Sequence, residues 1–504
     1  EGRFGGDRNV GKRTSFNPKT TRTGEQTGGR ADIRQRTRSS ILGEVFFKYD
    51  RQFGEDHRLN ALAGYSFQDF NFEQFGATGT GFPTDAISFY NLGLGESSGF
   101  SANPPFSGRT KNRLISGIFR VNYGYKDKYL LTATYRKDGS TRFSENNKWG
   151  DFPSISAAWR ISQENFLIDS EVINDLKLRF GWGVTGSQEI PSNRSLNTFG
   201  PAGNNFNAEI GGNFVTGIAQ NNVGNENLTW EETTSTNLGL DFAFANSRIS
   251  GSIDVYRKNT DGLLLEAALP APTVASTRLV NIGEVRNEGI EFSLSTLNVD
   301  NENFSWSSDF NLSHNRNEII RLANDDADVI SGGISGAGLS GTTTQILRVG
   351  EELGSFYGRV FTGIDPATGQ ELFKDVDGDG DTDGEDRDII GSAQPDLTLG
   401  FNNTFKYKNW DLAFFMQARL GIDMLYVQRL ELRTVGVTNT FRDYADYWTP
   451  ENTDAQYPAL GEPRVFHSGL LESGAFLKMS NITLGYRLPT DNIEWLQAGR
   501  FYVT

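Results

Sequence analysis

No cysteine occurs in the 504 residues, which excludes a disulfide framework, thiolate zinc sites and cysteine nucleophiles and leaves the redox compartment open. No run of 18 or more apolar residues is present, so no transmembrane helix is encoded, and the opening EGRFGGDRNVGKRT lacks the apolar core of a signal peptide. A basic surface is missing too. The formal net charge is -15 and no basic patch with interleaved aromatics appears, which argues against nucleic-acid binding driven by counterion release. Prolines number only 15, against 57 glycines, 37 phenylalanines and 16 tyrosines, a balance that favours strands and turns over helices. An all-β protein is expected.

Low hydropathy does not exclude the membrane, because a spanning strand shows lipid only every second side chain. In WDLAFFMQARLG, Trp410, Leu412, Phe414, Met416, Ala418 and Leu420 fall on one strand face, and Asp411, Gln417 and Arg419 on the other. Ile115, Phe119, Val121 and Tyr123 oppose Ser116, Arg120 and Asn122 in the same way, and Leu176, Leu178, Phe180 and Trp182 oppose Lys177 and Arg179. Fourteen strands are predicted, at about 39–51, 58–70, 111–124, 127–138, 150–161, 173–185, 231–244, 247–259, 281–297, 302–315, 395–407, 410–421, 474–488 and 497–504. Most reach the ~9 to 11 residues that a tilted strand needs to cross a bilayer.

The connections give a second test. Short links such as AN at 245–246 and KN at 408–409 alternate with long ones at 71–110, 186–230, 260–280, 316–394 and 422–473. This is the parity of an up-and-down outer-membrane barrel, with tight periplasmic turns and long extracellular loops. A Greek-key sandwich has no reason to keep it. The fold expected is a transmembrane antiparallel up-and-down β-barrel, read as one partial barrel domain over 1–504.

Several segments, in order, carry a resemblance: YLLTATYRKDGSTRFSENNKWGDFPSISAAWRIS at 129–162, INDLKLRFGWGVTGSQEI at 173–190, LTWEETTSTNLGLDFAFANSRISGSIDVYRKNTDGLLL at 228–265, NIGEVRNEGIEFSLS at 281–295, LGSFYGRVFTGIDP at 353–366, YWTPENTDAQYPAL at 447–460 and FLKMSNITLGYRLP at 476–489. Over most of residues 110–490 the chain resembles the SusC/RagA family of TonB-dependent outer-membrane transporters of Bacteroidota. The resemblance implies a 22-stranded barrel around an N-terminal plug, coupling to TonB, and a SusD-like surface lipoprotein that delivers a glycan oligosaccharide or oligopeptide. The sequence departs from that pattern: no plug or TonB box precedes residue 1, and it stops at FYVT. The expectation is therefore about 14 strands of a larger barrel, with closure left to sequence outside this chain.

The stretch DVDGDGDTDGED, 375–386, places six aspartates and a glutamate in twelve positions. In the register of a calcium loop, Asp375, Asp377 and Asp379 stand at positions 1, 3 and 5, and Gly380 supplies the turn at 6. Asp381 offers its carbonyl at 7, Asp383 stands at 9 and Asp386 at 12. Asp386 replaces the usual glutamate, and its shorter arm points to weaker binding or better tolerance of magnesium. Calcium held by Asp375, Asp377, Asp379, Asp381 and Asp386 is expected to stiffen an extracellular loop, and the plain alternative is a solvated acidic loop without an ion.

No catalytic constellation stands out. His57 falls in a short turn, His314 at the end of a strand and His467 in a long loop, so no pair has ligand spacing, no triad is suggested, and all three read as surface histidines. The glycine runs at 76–82 and 331–344 open no helix and read as loop flexibility. Loop aromatics Phe82, Tyr90, Phe100 and Phe106 fit either sugar stacking or packing against a cap. Transport is the leading reading. An adhesive surface protein that binds a partner through its loops is the alternative, and an outer-membrane hydrolase lacks an assembled triad.

Overall fold

Side-chain alternation decides what each strand face meets, and backbone pairing decides its neighbours. In the computed structural model, which describes all residues except 97–103, 202–206, 211–212, 270–276, 323–327, 335–340, 432–439, 464 and 490–497, fifteen strands form one antiparallel sheet. They are β1 (Gly2–Asn17), β2 (Arg30–Phe53), β3 (His57–Thr80), β4 (Phe106–Tyr125), β5 (Tyr129–Ser140), β6 (Trp149–Arg160), β7 (Ile173–Ser187), β8 (Glu231–Phe244), β9 (Ile249–Ala268), β10 (Thr277–Asp300), β11 (Phe304–Arg321), β12 (Leu397–Tyr407), β13 (Trp410–Leu420), β14 (Phe476–Arg487) and β15 (Arg500–Val503). Each pairs with its neighbours in chain order, and among the described residues no pairing joins β1 to β15. No helix among them is long and apolar enough to cross a membrane.

All fourteen expected strands are present. β1 is an addition, and several strands run further than expected: β2 starts at Arg30, β3 continues to Thr80, and the hairpin of β9 and β10 leaves only 269–276 of the 260–280 loop. Their extra residues mix Arg, Gln, Asn, Thr and Gly with scattered apolar side chains such as Ile33, Phe72 and Leu263–Leu265, and the long alternation of a lipid-facing strand is missing. Pairing with the adjacent strand satisfies their backbone N–H and C=O groups whatever the side chain is. The alternation holds for most connections: 54–56, 126–128, 245–248, 301–303 and 408–409 are short at one end and 81–105, 188–230, 322–396 and 421–475 long at the other, whereas 161–172 and 488–499 at the first end are longer than 141–148 and 269–276 at the second. The short β4–β5 turn uses two left-handed residues, Lys126 (φ 53) and Asp127 (φ 50), and is closed by Lys128 N donating to the Tyr125 carbonyl at 3.0 Å, the primed-turn twist that suits a tight hairpin.

The register separates two chemistries. One lateral row runs Phe47, Ala63, Phe119, Tyr135 across β2 to β5, and its three aromatic rings are 73%, 52% and 46% exposed. One pleat away, on the opposite face, the row Asp50, Asn60, Asn122, Thr132 is hydrogen-bonded sideways: Asn122 Nδ2 donates to Asn60 Oδ1 at 3.0 Å and Thr132 Oγ1 to Asn122 Oδ1 at 2.9 Å. Further round, Lys177, Arg179, Asp241 and Asp254 form an ion-pair lattice on that same polar face.

The apolar face has two marked borders. Beside the short turns lies an aromatic girdle in which the Tyr125, Tyr129 and Trp159 rings stack at 6.2 and 6.5 Å, with Trp410 against Tyr486 further along. At the other border the face turns ionic: Asp69 binds Lys111 at 3.0 Å and Arg113 at 2.7 Å, and Lys137 binds Asp151 at 3.0 Å. From Tyr125 up to Ile115 is about 33 Å along β4, or about 25 Å along the normal at a tilt of about 40°. That is the height of a hydrocarbon-facing band. Phe119→Arg, near mid-band, is expected to cost about 2–4 kcal/mol, whereas Asn122→Arg on the polar face is expected to cost far less. Equilibrium unfolding of the complete protein in phospholipid vesicles checks this, and equal costs would refute the assignment of faces.

Candidate functional site

The polar face becomes a site where a connection folds onto it. The 188–230 segment returns across the inner wall and packs Ile190, Leu228 and Trp230 against Phe143 and against Phe152 of β6. The Phe152 and Trp230 rings meet edge to face at 5.3 Å, and Trp230 Nε1 donates to the Lys148 carbonyl at 3.1 Å. Gly186 is obligatory at this junction, since a Cβ there would lie 2.1 Å from the Phe152 ring. Beside the cluster opens a recess of about 700 Å³ lined by Arg120, Arg136, Asp138, Glu189, Phe152 and Trp230 among others. Arg136 is locked in place: its Nε donates to both Asp138 oxygens at 2.8 Å and its Nη2 to Ser116 Oγ at 2.9 Å. Fixed polar groups beside ring surfaces are what an oligomeric polar ligand needs.

The loop aromatics singled out from sequence divide differently. Phe82 is 3% exposed and meets Phe16 edge-on at 6.0 Å, so it packs a loop. Phe106 lies under the Arg34 guanidinium, Tyr90 is open to solvent, and Phe100 lies outside the described residues. Phe152 and Trp230 carried no sequence signal of their own, because each sits at the rim of a strand where a hydrophobic residue is unremarked.

The acidic stretch belongs to a second body at the same end of the sheet. Within 322–396, short strands Val329–Gly333, Thr343–Leu347, Ser355–Gly358 and Asp388–Ser392 form a four-stranded sheet, and Phe361–Ile364 pairs with Glu371–Phe373. Phe356 packs with Phe466 and Leu470 of the 421–475 connection, so the two connections share one core. The acidic loop leaves this body at Lys374, whose N–H donates to the Val360 carbonyl at 2.9 Å, and rejoins it at Asp388.

Inside the loop, carboxylates from distant positions converge. Asp375, Asp377 and Asp386 bring ligand oxygens within 4.8 Å of one another, and Asp381, Asp383 and Asp386 do the same. Gly380 has φ +96, as the turn position requires. Asp386 is the hub: it is 1% exposed and accepts from Val376 N at 2.6 Å and Asp383 N at 2.8 Å. Asp379 is outside both groups and accepts from Asp381 N at 3.0 Å, while Asp383 joins the second. The donor set is all oxygen, the chemistry of a hard cation. Backbone donors hold the Asp386 pKa below the ordinary carboxylate range, whereas Asp379 and the other loop carboxylates push that of Asp381 up.

The histidines need one correction. His57 shares a 2.7 Å contact with Tyr123 OH, and His314 one with the Asp396 carbonyl. His467, however, is buried rather than on the surface, 4% exposed, with Nδ1 accepting from Gly469 N at 3.1 Å and Nε2 3.4 Å from Glu371 Oε1. Phe361 and Phe373 pack its ring, because the 421–475 connection lies on the hairpin, a contact that sequence adjacency does not reveal. No histidine joins a group of potential metal ligands among the described residues.

A family model described as TonB dependent receptor-like, beta-barrel matches residues 3–499. The chain belongs to this family. It is similar to TonB-dependent receptor P3 of Formosa agariphila, with 37% identity over 97% of this chain and 50% of the relative. It is also similar to TonB-dependent receptor SusC of Bacteroides thetaiotaomicron, with 35% identity over 75% of this chain and 38% of the relative. The fold is similar to that of the RagAB peptide transporter, at a TM-score of 0.82 and 25% identity over 99% of this chain and 55% of that one. The SusC/RagA-like resemblance read from the segments is thus borne out, and the family is one of outer-membrane β-barrels. The chain spans about half the length of the first of these curated relatives.

The hub at Asp386 gives a pH test with a definite sign. Its folded pKa is lowered, so the order it confers is full above the free-carboxylate value of about 4 and is lost as pH falls through the lower folded value. Asp381 has the opposite sign: its charge opposes loop order above its raised pKa, and protonation relieves that strain first. Amide exchange at Val376 and Asp383, corrected for intrinsic rates, is expected to stay slow down to about pH 4. In Asp386→Ala it is expected to be at least about tenfold faster at neutral pH, as loss of bonds to a charged acceptor implies. Unchanged exchange would remove Asp386 as the hub.

Proposed function

We propose that the chain forms the wall and outer loops of an importer for a large oligomeric nutrient, a glycan oligosaccharide or an oligopeptide. Energy would reach it through TonB, and a SusD-like lipoprotein would cap the loop end. The observation that carries this reading is the inner recess of about 700 Å³, with its fixed Arg136–Asp138 pair and the Phe152 and Trp230 rings. The similarity to SusC and to the RagAB transporter supports the same reading. An adhesin needs the loops but has no use for a recess on the inner wall that sets fixed polar groups beside aromatic rings. Cells carrying the complete transporter are expected to accumulate labelled oligosaccharide or oligopeptide only when TonB is present. Surface binding without accumulation would overturn transport in favour of adhesion.

The acidic loop is read as calcium-clipped. Asp375, Asp377 and Asp386 would hold the ion with Asp379, the Asp381 carbonyl and Asp383 completing the set, and the ion would neutralise carboxylates whose mutual repulsion otherwise opposes order. Its role would be to stiffen the loop beside the entrance. Chelation of the complete protein is expected to open 375–386 to a protease that cuts at aspartate, with calcium restoring protection. Equal cleavage before and after chelation would leave the loop as a solvated acidic turn.

A further inference from the structure

Above the apolar band, β1 and β2 carry their inner face outward into the loop region. Arg34, Arg36 and Arg38 occupy that face at alternate positions, aligned laterally with Gly76, Gln74 and Phe72 of β3. They lie beyond the level of the Asp69–Arg113 border. Arg13 of β1 stands directly opposite Arg34. All four side chains are exposed, and among the described residues none has a carboxylate within ion-pair distance. The acid nearest the row in the register is already committed: Asp32 takes Arg30 at 3.1 and 3.2 Å and the Thr78 hydroxyl at 2.6 Å. Asp7, opposite Ser40, is the next acid on this face.

Like charges directly opposite one another across a ladder are destabilising, as Arg13 and Arg34 are. Four exposed guanidinium groups outside any ion pair among the described residues, with Asp32 the one acid beside Arg34, call for an anionic partner in a chain of net charge -15. Two are held outstretched along the wall, with the Arg34 Cζ 5.8 Å from the centre of the Phe106 ring and the Arg38 Cζ 5.6 Å from that of Phe72. Between Arg13 and Arg34 is a recess of about 190 Å³ that also touches Ser15, Arg30 and Asp32. Same-face residues on a strand stand about 6.6 Å apart, so Arg34 to Arg38 spans about 13 Å, room for successive anionic groups of one oligomer. The guanidinium fork suits planar carboxylates and sulfates, which it binds through two parallel hydrogen bonds.

We propose that this row is a substrate subsite at the mouth of the importer and that it selects anionic oligosaccharides, those bearing uronate carboxylates or sulfate esters. The proposal rests on the import reading above. An acidic peptide fits less well. β2 is hydrogen-bonded on both sides, by β1 and β3, so a peptide cannot join it as an added strand and its amides would go without backbone partners.

The test uses the complete transporter with its partner lipoprotein and three probes: hexagalacturonate, neutral maltohexaose and hexaglutamate. The wild type is expected to bind hexagalacturonate in preference to the other two, with affinity falling as salt rises. Arg34→Gln, Arg36→Gln and Arg38→Gln together are expected to lower that affinity at least about tenfold, and the triple lysine variant, which keeps the charge and controls for folding, is expected to recover part of it. Preference for hexaglutamate, or a triple glutamine variant that binds hexagalacturonate as the wild type does, overturns the proposal. TonB-dependent accumulation of maltohexaose without binding of either anion overturns the subsite while leaving import standing. Failure of every oligomer to accumulate overturns import itself.

Discussion

A backbone amide inside hydrocarbon has no water to turn to, and each one left unpaired costs several kcal/mol. The chain meets that constraint in the simplest order available, each strand pairing with the next along the sequence from β1 to β15. Once the ladder is satisfied by backbone alone, side chains are released from holding the sheet together and are free to specialise by face. That is why the Phe47–Phe119–Tyr135 row can be left open while the adjacent Asn60–Asn122–Thr132 row is tied laterally. The inner groups have partners in one another, whereas the outer groups need only an apolar solvent.

Specialisation by face also sets the vertical position of the sheet. The stacked Tyr125, Tyr129 and Trp159 rings suit an interface that is apolar on one side and wet on the other. The Asp69 pairs with Lys111 and Arg113 belong in water. Strands that continue past this border, such as β2 and β3, have left the membrane but keep the ladder, so they raise the inner wall into the space between the loops. The same extension that lengthens the wall carries Arg34, Arg36 and Arg38 to the loop end of the sheet.

Legibility in the sequence follows from which force acted. Where lipid demanded alternation, as in Trp410–Leu420 or Leu176–Trp182, strand and face could both be read. β1 could not, because GRFGGDRNVGKRTSFN has only Phe4 and Val10 on its outer face below the Phe16 contact, and it is a strand through its pairing with β2. The recess was hidden for a different reason: Phe152 and Trp230 lie far apart in sequence and meet only because 188–230 turns inward. The basic row was missed because sequence shows Arg34, Arg36 and Arg38 interleaved with Gln and Thr. Period-two geometry gathers the three on one face, and pairing adds Arg13 from a distance. The acidic loop was the most local feature and the most readable, since its convergence depends on twelve consecutive residues and one left-handed glycine.

Two opposite charge clusters at the same end of the sheet complete the account. The acidic loop concentrates negative charge on a body of packed loops, where Asp386 is buried and backbone amides already accept part of the load by donating to its carboxylate. The arginine row concentrates positive charge on the rigid wall, where its relief is limited to the Phe106 and Phe72 ring faces and the neighbouring Asp32. A chain that is acidic overall repels anions at a distance, so a basic row helps an anionic oligomer only when that oligomer is brought to the wall. Long-range steering and local recognition therefore point in opposite directions here. The conflict is removed if a second protein delivers the substrate across the loops, which is the service that a capping lipoprotein would provide.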